Sequence, residues 1–313
     1  MLQQTRASVV IPYFLRWMAL FPNIEALASA PLERVIKTWE GLGYYSRARN
    51  LHAGAKEILE RFEGKIPEDR KQLETIRGLG PYTIGAILSF GFQKRSSAID
   101  GNATRVLSRF FCVEENVCRQ SGKKKIEARS EEILDEKEPW VTVEALIELG
   151  ATVCTPKPRC SDCPLRHRCA AHLQNKAESL PIKNAEPETV LLWRAVAVIE
   201  AEGKILVRKR GAGERFADLY EFPYFERERE KKGQLAKKIQ KEWGFSVTRA
   251  RRLSETVHTF TRYKARLFPE LFKGERALPV EGCCWIGREE LSALPFSAGH
   301  RKIAQEYLCA FST

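Results

Sequence analysis

The chain has 313 residues, 43% hydrophobic and 29% charged, and a formal net charge of +12; this is globular composition, too long for one modest core and suited to two domains. No apolar run is long enough to cross a bilayer and the amino terminus lacks a signal-peptide layout, so the expected location is the cytoplasm. The excess of Lys and Arg suits a polyanion partner, because each neutralised phosphate releases counterions, whereas the plain alternative is a merely soluble basic protein.

From Met1 to about Gln174 apolar residues recur at helical spacing, as at Ile84, Ile87 and Leu88, and breaks fall at Pro31, Pro67 and Pro139. The expectation is an all-α domain over 1–174. Within it, Ile76-Arg77-Gly78-Leu79-Gly80-Pro81-Tyr82-Thr83 precedes a helix. Gly78 and Gly80 permit close backbone approach to a ligand, and Pro81 suits a first helical turn whose amides can hold a phosphate. A bare Gly-x-Gly turn is more often only a tight connection; the following helix and the basic charge favour a site.

Asp100 follows in Ile99-Asp100-Gly101-Asn102, leading into a helix predicted over Ala103–Phe110. Its ordinary role there is to cap that helix. In a cleft it can instead remain ionised and stabilise a sugar cation during glycosidic cleavage. The run Lys123–Lys125 reads as a solvated turn.

Nine cysteines in a reducing compartment make a poor disulfide framework, and four of them are bunched. Cys154, Cys160, Cys163 and Cys169 form C-x5-C-x2-C-x5-C in CTPKPRCSDCPLRHRC, with Pro164 beside the third. This is not the pair-plus-pair layout of a zinc ribbon, and four thiolates here suit a 4Fe-4S cluster, with zinc as the alternative. Lys157, Arg159, Arg166 and Arg168 lie between the ligands, so cluster assembly fixes a basic loop for docking on DNA.

Residues 175–189 turn polar and carry Pro181 and Pro187, the composition of a linker. Beyond it WRAVAVIEAEGKILVRKR reads as two strands around an Ala201–Lys204 turn, with further strand character around Glu270–Phe272 and a basic amphipathic helix at Gly233–Trp243. A smaller α/β or α+β domain is expected over 190–313.

Together, MLQQT, GLGYYSRARNLH, GLGPYTIGAILS, DGNATRVLSR and the cysteine loop closely resemble the adenine DNA glycosylases, helix-hairpin-helix base-excision enzymes that remove adenine mispaired with 8-oxoguanine. The resemblance covers almost the whole chain. It implies a multidomain fold, an all-α glycosylase domain with an iron-sulfur loop followed by an α+β Nudix-like domain that checks the opposite base. The implied partner is double-stranded DNA containing adenine mispairs, bound by a monomer and with no membrane. By position, Leu2, Gln3, Gln4, Thr5 and Tyr44 resemble residues that contact or enter the duplex beside the lesion, where wedges lower the cost of extruding a base. Core packing is the plain alternative for Leu2 and Tyr44. Gly78 and Gly80 match the phosphate-binding hairpin, Asp100 the carboxylate that stabilises the oxocarbenium-like intermediate, and Asn102 a residue that helps position the attacking water. Tyr82 stands where related bifunctional glycosylases carry a Schiff-base lysine, and Thr104 also replaces a lysine found in some members. Both point to hydrolysis without strand cleavage.

The chain departs from the family at several places. The family's general acid is a glutamate two residues before the methionine of MLQQT, which here is Met1. Either the start has been placed too late or the protein is a short form that binds without cutting; the first accounts better for the apolar surface that a helix without its preceding turns would expose. Where the family often has Phe-Ser-His, the chain has Phe260-Thr261-Arg262, and Arg262 brings a fixed charge in place of an imidazole. Lysines in Lys237-Lys238-Ile239-Gln240-Lys241 replace the magnesium-binding carboxylates of Nudix hydrolases, so this domain is expected to bind DNA and not to hydrolyse nucleotides. The first cysteine interval is one residue shorter than usual, which the loop is expected to absorb.

Overall fold

The computed structural model describes residues 1–185, 187–211, 213–226 and 234–310. Its chain divides into two compact units, Met1–Lys56 with Pro187–Thr313, and Glu57–Glu186. The amino-terminal helices are α1 (Ala7–Leu20), α2 (Ile24–Ser29), α3 (Leu32–Trp39) and α4 (Ser46–Phe62), the last crossing the unit boundary.

The second unit continues with α5 (Arg70–Glu74), α6 (Pro81–Ala86), α7 (Gly101–Phe110), α8 (Gln120–Ile133), α9 (Pro139–Thr152) and α10 (Ala170–Leu173). Local chemistry sets these starts. Asp69 and Asp100 cap α5 and α7, accepting from the Gln72 and Ala103 amides at 3.0 and 2.7 Å, and proline opens α6 and α9. A π-helical turn, Ile87–Gly91, follows α6 directly and has Leu88 and Ser89 buried. Ala103, Val106 and Leu107 of α7 pack with Ile126 of α8 and Leu146 of α9 in one apolar cluster. Lys123–Lys125, expected in a turn, lies within α8: Ile126 is buried while all three lysines stay exposed, so the helix puts its charge in solvent. No strand occurs before Val190 among the described residues, and no helix there is long and apolar enough to cross a membrane.

The carboxy-terminal part of the first unit adds β1 (Val190–Ala201), β2 (Lys204–Lys209), β3 (Tyr220–Glu221), β4 (Tyr224–Glu226), α11 (Leu235–Trp243), β5 (Val247–Arg252), β6 (Thr256–Phe260), β7 (Tyr263–Gly274), β8 (Cys284–Gly287) and α12 (Ala298–Cys309). The helix expected from Gly233 is seen from Leu235, and Gly233 itself lies outside the described residues. The predicted hairpin is present, with Ala201 paired to Lys204. An eight-stranded mixed sheet has the central order β3-β2-β1-β7-β5, its long parallel pair running from Val190 opposite Tyr263 to Glu200 opposite Lys273. Apolar alternation fills both faces: Val196, Val198 and Ile205 pack with Phe296, Ile303 and Tyr307 near α12, whereas Ala197, Ile199 and Leu206 pack with Leu235 and Ile239 of α11.

Within this first unit α3 is bonded to the carboxy-terminal part. Lys37 donates to the Ser292 and Leu294 carbonyls at 2.7 and 3.1 Å. Glu40 accepts from the Phe296 amide at 3.0 Å and pairs with Arg301 at 2.7 Å, and the Tyr220 hydroxyl donates to Glu33 at 3.0 Å. The Glu40–Arg301 pair is mostly buried, with side chains 14 and 15% exposed, so each charge needs the other.

Candidate active site

In the second unit the hairpin turn owes its shape to Gly78, whose φ of 86° suits a residue without Cβ. Gly80 caps α6 with extended backbone, and nothing lies within 4 Å of where its Cβ would be, which leaves the backbone open to a ligand. Tyr82, the second residue of α6, is half buried against Ala98 and Val143. Burial first, and then the Asp100 charge, push its phenol pKa up, so the hydroxyl stays protonated at neutral pH.

Asp100 stands at the head of α7. One carboxylate oxygen caps α7, while its electrostatic coupling to Tyr82 and to Arg105 places these three groups in one neighbourhood. Asn102 accepts from Arg105 Nη2 at 2.9 Å, and Arg105 also donates to the Gly150 and Cys154 carbonyls, both at 2.7 Å. The catalytic candidates on α7 are thereby bonded to the start of the cysteine loop.

One helical turn on, Arg109 is 2% exposed and extends the same connection. It donates to the carbonyls of Leu180 at 2.9 Å, Thr155 at 2.6 Å and Pro156 at 3.0 Å, and to Cys154 Sγ at 3.3 Å. These acceptors let a permanent charge be buried. Arg105 and Arg109 were missed by sequence reasoning; their signal is two arginines one turn apart on a helix whose neighbours Val106 and Leu107 are apolar.

Cys154, Cys160, Cys163 and Cys169 line one cavity of about 30 Å³. Among the described residues no group of three or more His, Cys, Asp or Glu side chains is arranged to hold a single metal ion. Four thiols around a common cavity are the donor set of a polynuclear iron-sulfur cluster or of one zinc ion. Burial raises the pKa of Cys160 and Cys169, and neighbouring thiols add to the rise. Lys157, Arg159, Arg166 and Arg168 are all exposed around them.

In the first unit, Leu2 and Tyr44 are 63 and 53% exposed, so neither is a core residue. Arg47 draws their segments together, donating to the Met1 and Gly43 carbonyls at 3.0 and 3.2 Å and to Thr5 Oγ1 at 3.4 Å, with its guanidinium 5.6 Å from the Tyr44 ring. It also bonds the Gln3 carbonyl. Gln4 and Tyr44 adopt left-handed backbone, φ 56° and 48°, which L side chains rarely occupy. Thr261 does the same, φ 44°, in the two-residue connection between paired Phe260 and Tyr263. Phe260 stands 4.8 Å from the Phe216 ring and 5.5 Å from that of Tyr263, and Arg262 donates to the Tyr263 hydroxyl at 3.3 Å.

Residues 1–136 match the model of the HhH-GPD superfamily of base excision DNA repair proteins, and 194–306 match a NUDIX domain. The human adenine DNA glycosylase is 30% identical, over 98% of this chain and 66% of its own length. Its mouse counterpart is 30% identical over 98% of this chain and 70% of that protein. The chain thus spans about two thirds of the length of these relatives. A solved thermostable thymine-DNA glycosylase is 22% identical with a TM-score of 0.49, covering 55% of this chain and 80% of that one.

Proposed function

The chain belongs to the adenine DNA glycosylase family, and from that membership we propose that it acts in base-excision repair, removing adenine mispaired with 8-oxoguanine or guanine from double-stranded DNA by hydrolysis. The observation that carries this reading is the Asp100 carboxylate at the head of α7, coupled to Tyr82 and neighbouring an Asn102 that Arg105 holds in place.

In this role the Asp100 carboxylate stabilises the sugar cation that develops as the base departs. Asn102 positions the attacking water. Tyr82 contributes a protonated phenol and no amine, so no imine forms and strand cleavage has no dedicated step. Adenine leaves readily only when protonated, which requires a general acid; the family resemblance assigns it to the glutamate ahead of MLQQT. Leu2, Gln3, Gln4, Thr5 and Tyr44 act on the duplex beside the extruded base, the Gly78–Gly80 turn holds a phosphate, and Phe260, Thr261 and Arg262 meet the opposite base.

The cysteine cavity suits a 4Fe-4S cluster held by Cys154, Cys160, Cys163 and Cys169. When bound, such a cluster cross-links the loop through four thiolates. Arg109 keeps that loop on α7, and the exposed basic side chains around it face a phosphate backbone. The chain is read as a cytoplasmic monomer, a location that suits reduced thiols.

The test is single-turnover adenine release from an adenine·8-oxoguanine duplex, run on this chain and on a form extended upstream to include the family's glutamate, with borohydride trapping in parallel. Release by either form without a trapped adduct supports the reading. Tight binding without release from both replaces it with a noncatalytic lesion-binding protein, and a trapped covalent adduct replaces hydrolysis with lyase chemistry.

A further inference from the structure

Taking Phe260 as the residue that meets the base opposite adenine, we propose that Arg49 is a positioning residue for that discrimination: it ties the first turn of α4, just behind Tyr44, to the 214–219 loop against which Phe260 packs. The inference therefore rests on the function proposed above.

Each link is a contact within the first unit. Arg49 Nη1 donates to the Ala217 carbonyl at 2.8 Å and lies 3.6 Å from Asp218 Oδ2. Both charged side chains are only 27% exposed, so their attraction is less screened than that of a surface pair. Phe216 and Asp218, on either side of Ala217, adopt left-handed backbone at φ 61° and 63°, and Ala217 is buried at 5% exposure. Such conformations persist where surroundings over-determine them.

On the other side of the loop, Phe216 meets the Phe260 ring edge-on at 4.8 Å and stacks on His258 at 5.2 Å. Arg215 donates to the Tyr263 hydroxyl at 2.9 Å, its guanidinium 4.1 Å from that ring. The loop thus grips both strands of the β6–β7 hairpin that presents Thr261 and Arg262, while Arg49 holds the loop from the side of Tyr44. A shift of α4 relative to the loop has to be absorbed at Ala217–Asp218 or passed through Phe216 to Phe260. Arg49 touches no reacting group in this account; it fixes the spacing between the residues that enter the duplex and those that meet the opposite base.

The test measures equilibrium binding to duplexes carrying 2′-fluoro-2′-deoxyadenosine, whose glycosidic bond resists cleavage, opposite either 8-oxoguanine or guanine. This readout needs no turnover. Wild type is expected to prefer the 8-oxoguanine duplex, and Arg49→Met to lose about tenfold of that preference, about 1.4 kcal/mol, with an unchanged thermal melt. Phe216→Leu breaks the same chain at its other end and should cost a similar factor, and the double variant should lose no more than either alone. Arg49→Lys, which keeps the charge and one donor, should recover part of the preference. Wild-type preference in both single variants, an equal loss on the two duplexes, or additive losses in the double variant would overturn the positioning role alone. A wild-type protein that binds both duplexes alike sinks the proposed recognition of 8-oxoguanine, and this inference with it.

Discussion

Gly150 on α9 leaves no room for a side chain beside Asn102: a Cβ there would stand 2.7 Å from the Asn102 Cβ and 3.0 Å from its carbonyl oxygen. Both neighbours belong to the turn that opens α7, so a methyl group has to push the two helices apart. Gly150→Ala is expected to cost about 1–3 kcal/mol in urea unfolding, the range for overpacking, and to slow adenine release as Asn102 shifts. Unchanged stability and rate would mean that α7 and α9 separate freely.

Asp100→Asn separates the cap from the charge. Asparagine still accepts from the Ala103 amide and caps helices about as well as aspartate, so stability is expected to stay within about 0.5 kcal/mol. Adenine release should nevertheless fall by at least about 10²-fold, the scale for losing one preorganised electrostatic group. A large drop in melting temperature with a proportionate loss of rate would return Asp100 to an ordinary helix cap.

Much of this site was legible from residue chemistry. The Gly78 turn, the Asp100 cap and the cysteine loop announce themselves because glycine, helix-capping aspartate and clustered thiols have narrow uses. The Arg105 and Arg109 bonds did not, because their acceptors are mostly backbone carbonyls at 150–156 and 180, which leave no mark on the sequence. The β1–β2 hairpin was readable from a local turn, whereas the parallel pairing of β1 with β7 depends on segments more than sixty positions apart. The bonding of α3 to the carboxy-terminal part of its unit was equally hidden: Glu40 and Arg301 look like surface charges until the fold brings them to 2.7 Å.

Arg109→Met removes the donors that satisfy the Leu180, Thr155 and Pro156 carbonyls. The buried Leu180 carbonyl left unpaired costs about 1–3 kcal/mol, while Thr155 and Pro156, which are more exposed, regain water, so a destabilisation of about 1–3 kcal/mol is expected. Because the same side chain reaches Cys154 Sγ, the visible absorbance of an assembled cluster should fall and the loop at 153–169 should become more open to proteolysis. Wild-type absorbance and protease resistance would show that the thiols order the loop unaided.

His258 and His300 make acid a destabiliser of the first unit. Burial lowers their pKa values from 6.5 to about 4 and about 3, and His300 Nδ1 accepts from the Phe222 amide at 3.1 Å, a bond open only to the neutral ring. Arg194 and Lys302 face His258, while His258, Arg194 and Arg210 face His300, and all of them oppose added positive charge. With folded values below the unfolded one, the unfolded chain binds more protons, so this contribution is complete above pH 6.5 and is lost as pH falls towards 4. The slope approaches about 1.4 kcal/mol per pH unit for each histidine. Urea unfolding from pH 7 to pH 4.5 checks this; His300→Gln should flatten the profile, and an unaltered slope in both His300→Gln and His258→Gln would assign the acid sensitivity to carboxylates.

Thr261 holds a β-branched side chain at φ 44° in the connection between Phe260 and Tyr263. Left-handed backbone is costly for such a residue, on the order of 1–3 kcal/mol, and much easier for asparagine, whose short amide bonds locally. Thr261→Asn is therefore expected to raise stability by about 0.5–1 kcal/mol, a partial recovery of that strain. If the threonine hydroxyl meets the base opposite adenine, the same change should lower the preference for 8-oxoguanine over guanine in duplex binding. Opposite signs in the two measurements would mark Thr261 as a residue whose backbone strain is retained for recognition. A stability gain with unaltered preference would leave Phe260 and Arg262 to meet the base, whereas a loss of stability would show that the Thr261 side chain makes contacts worth more than the strain it imposes.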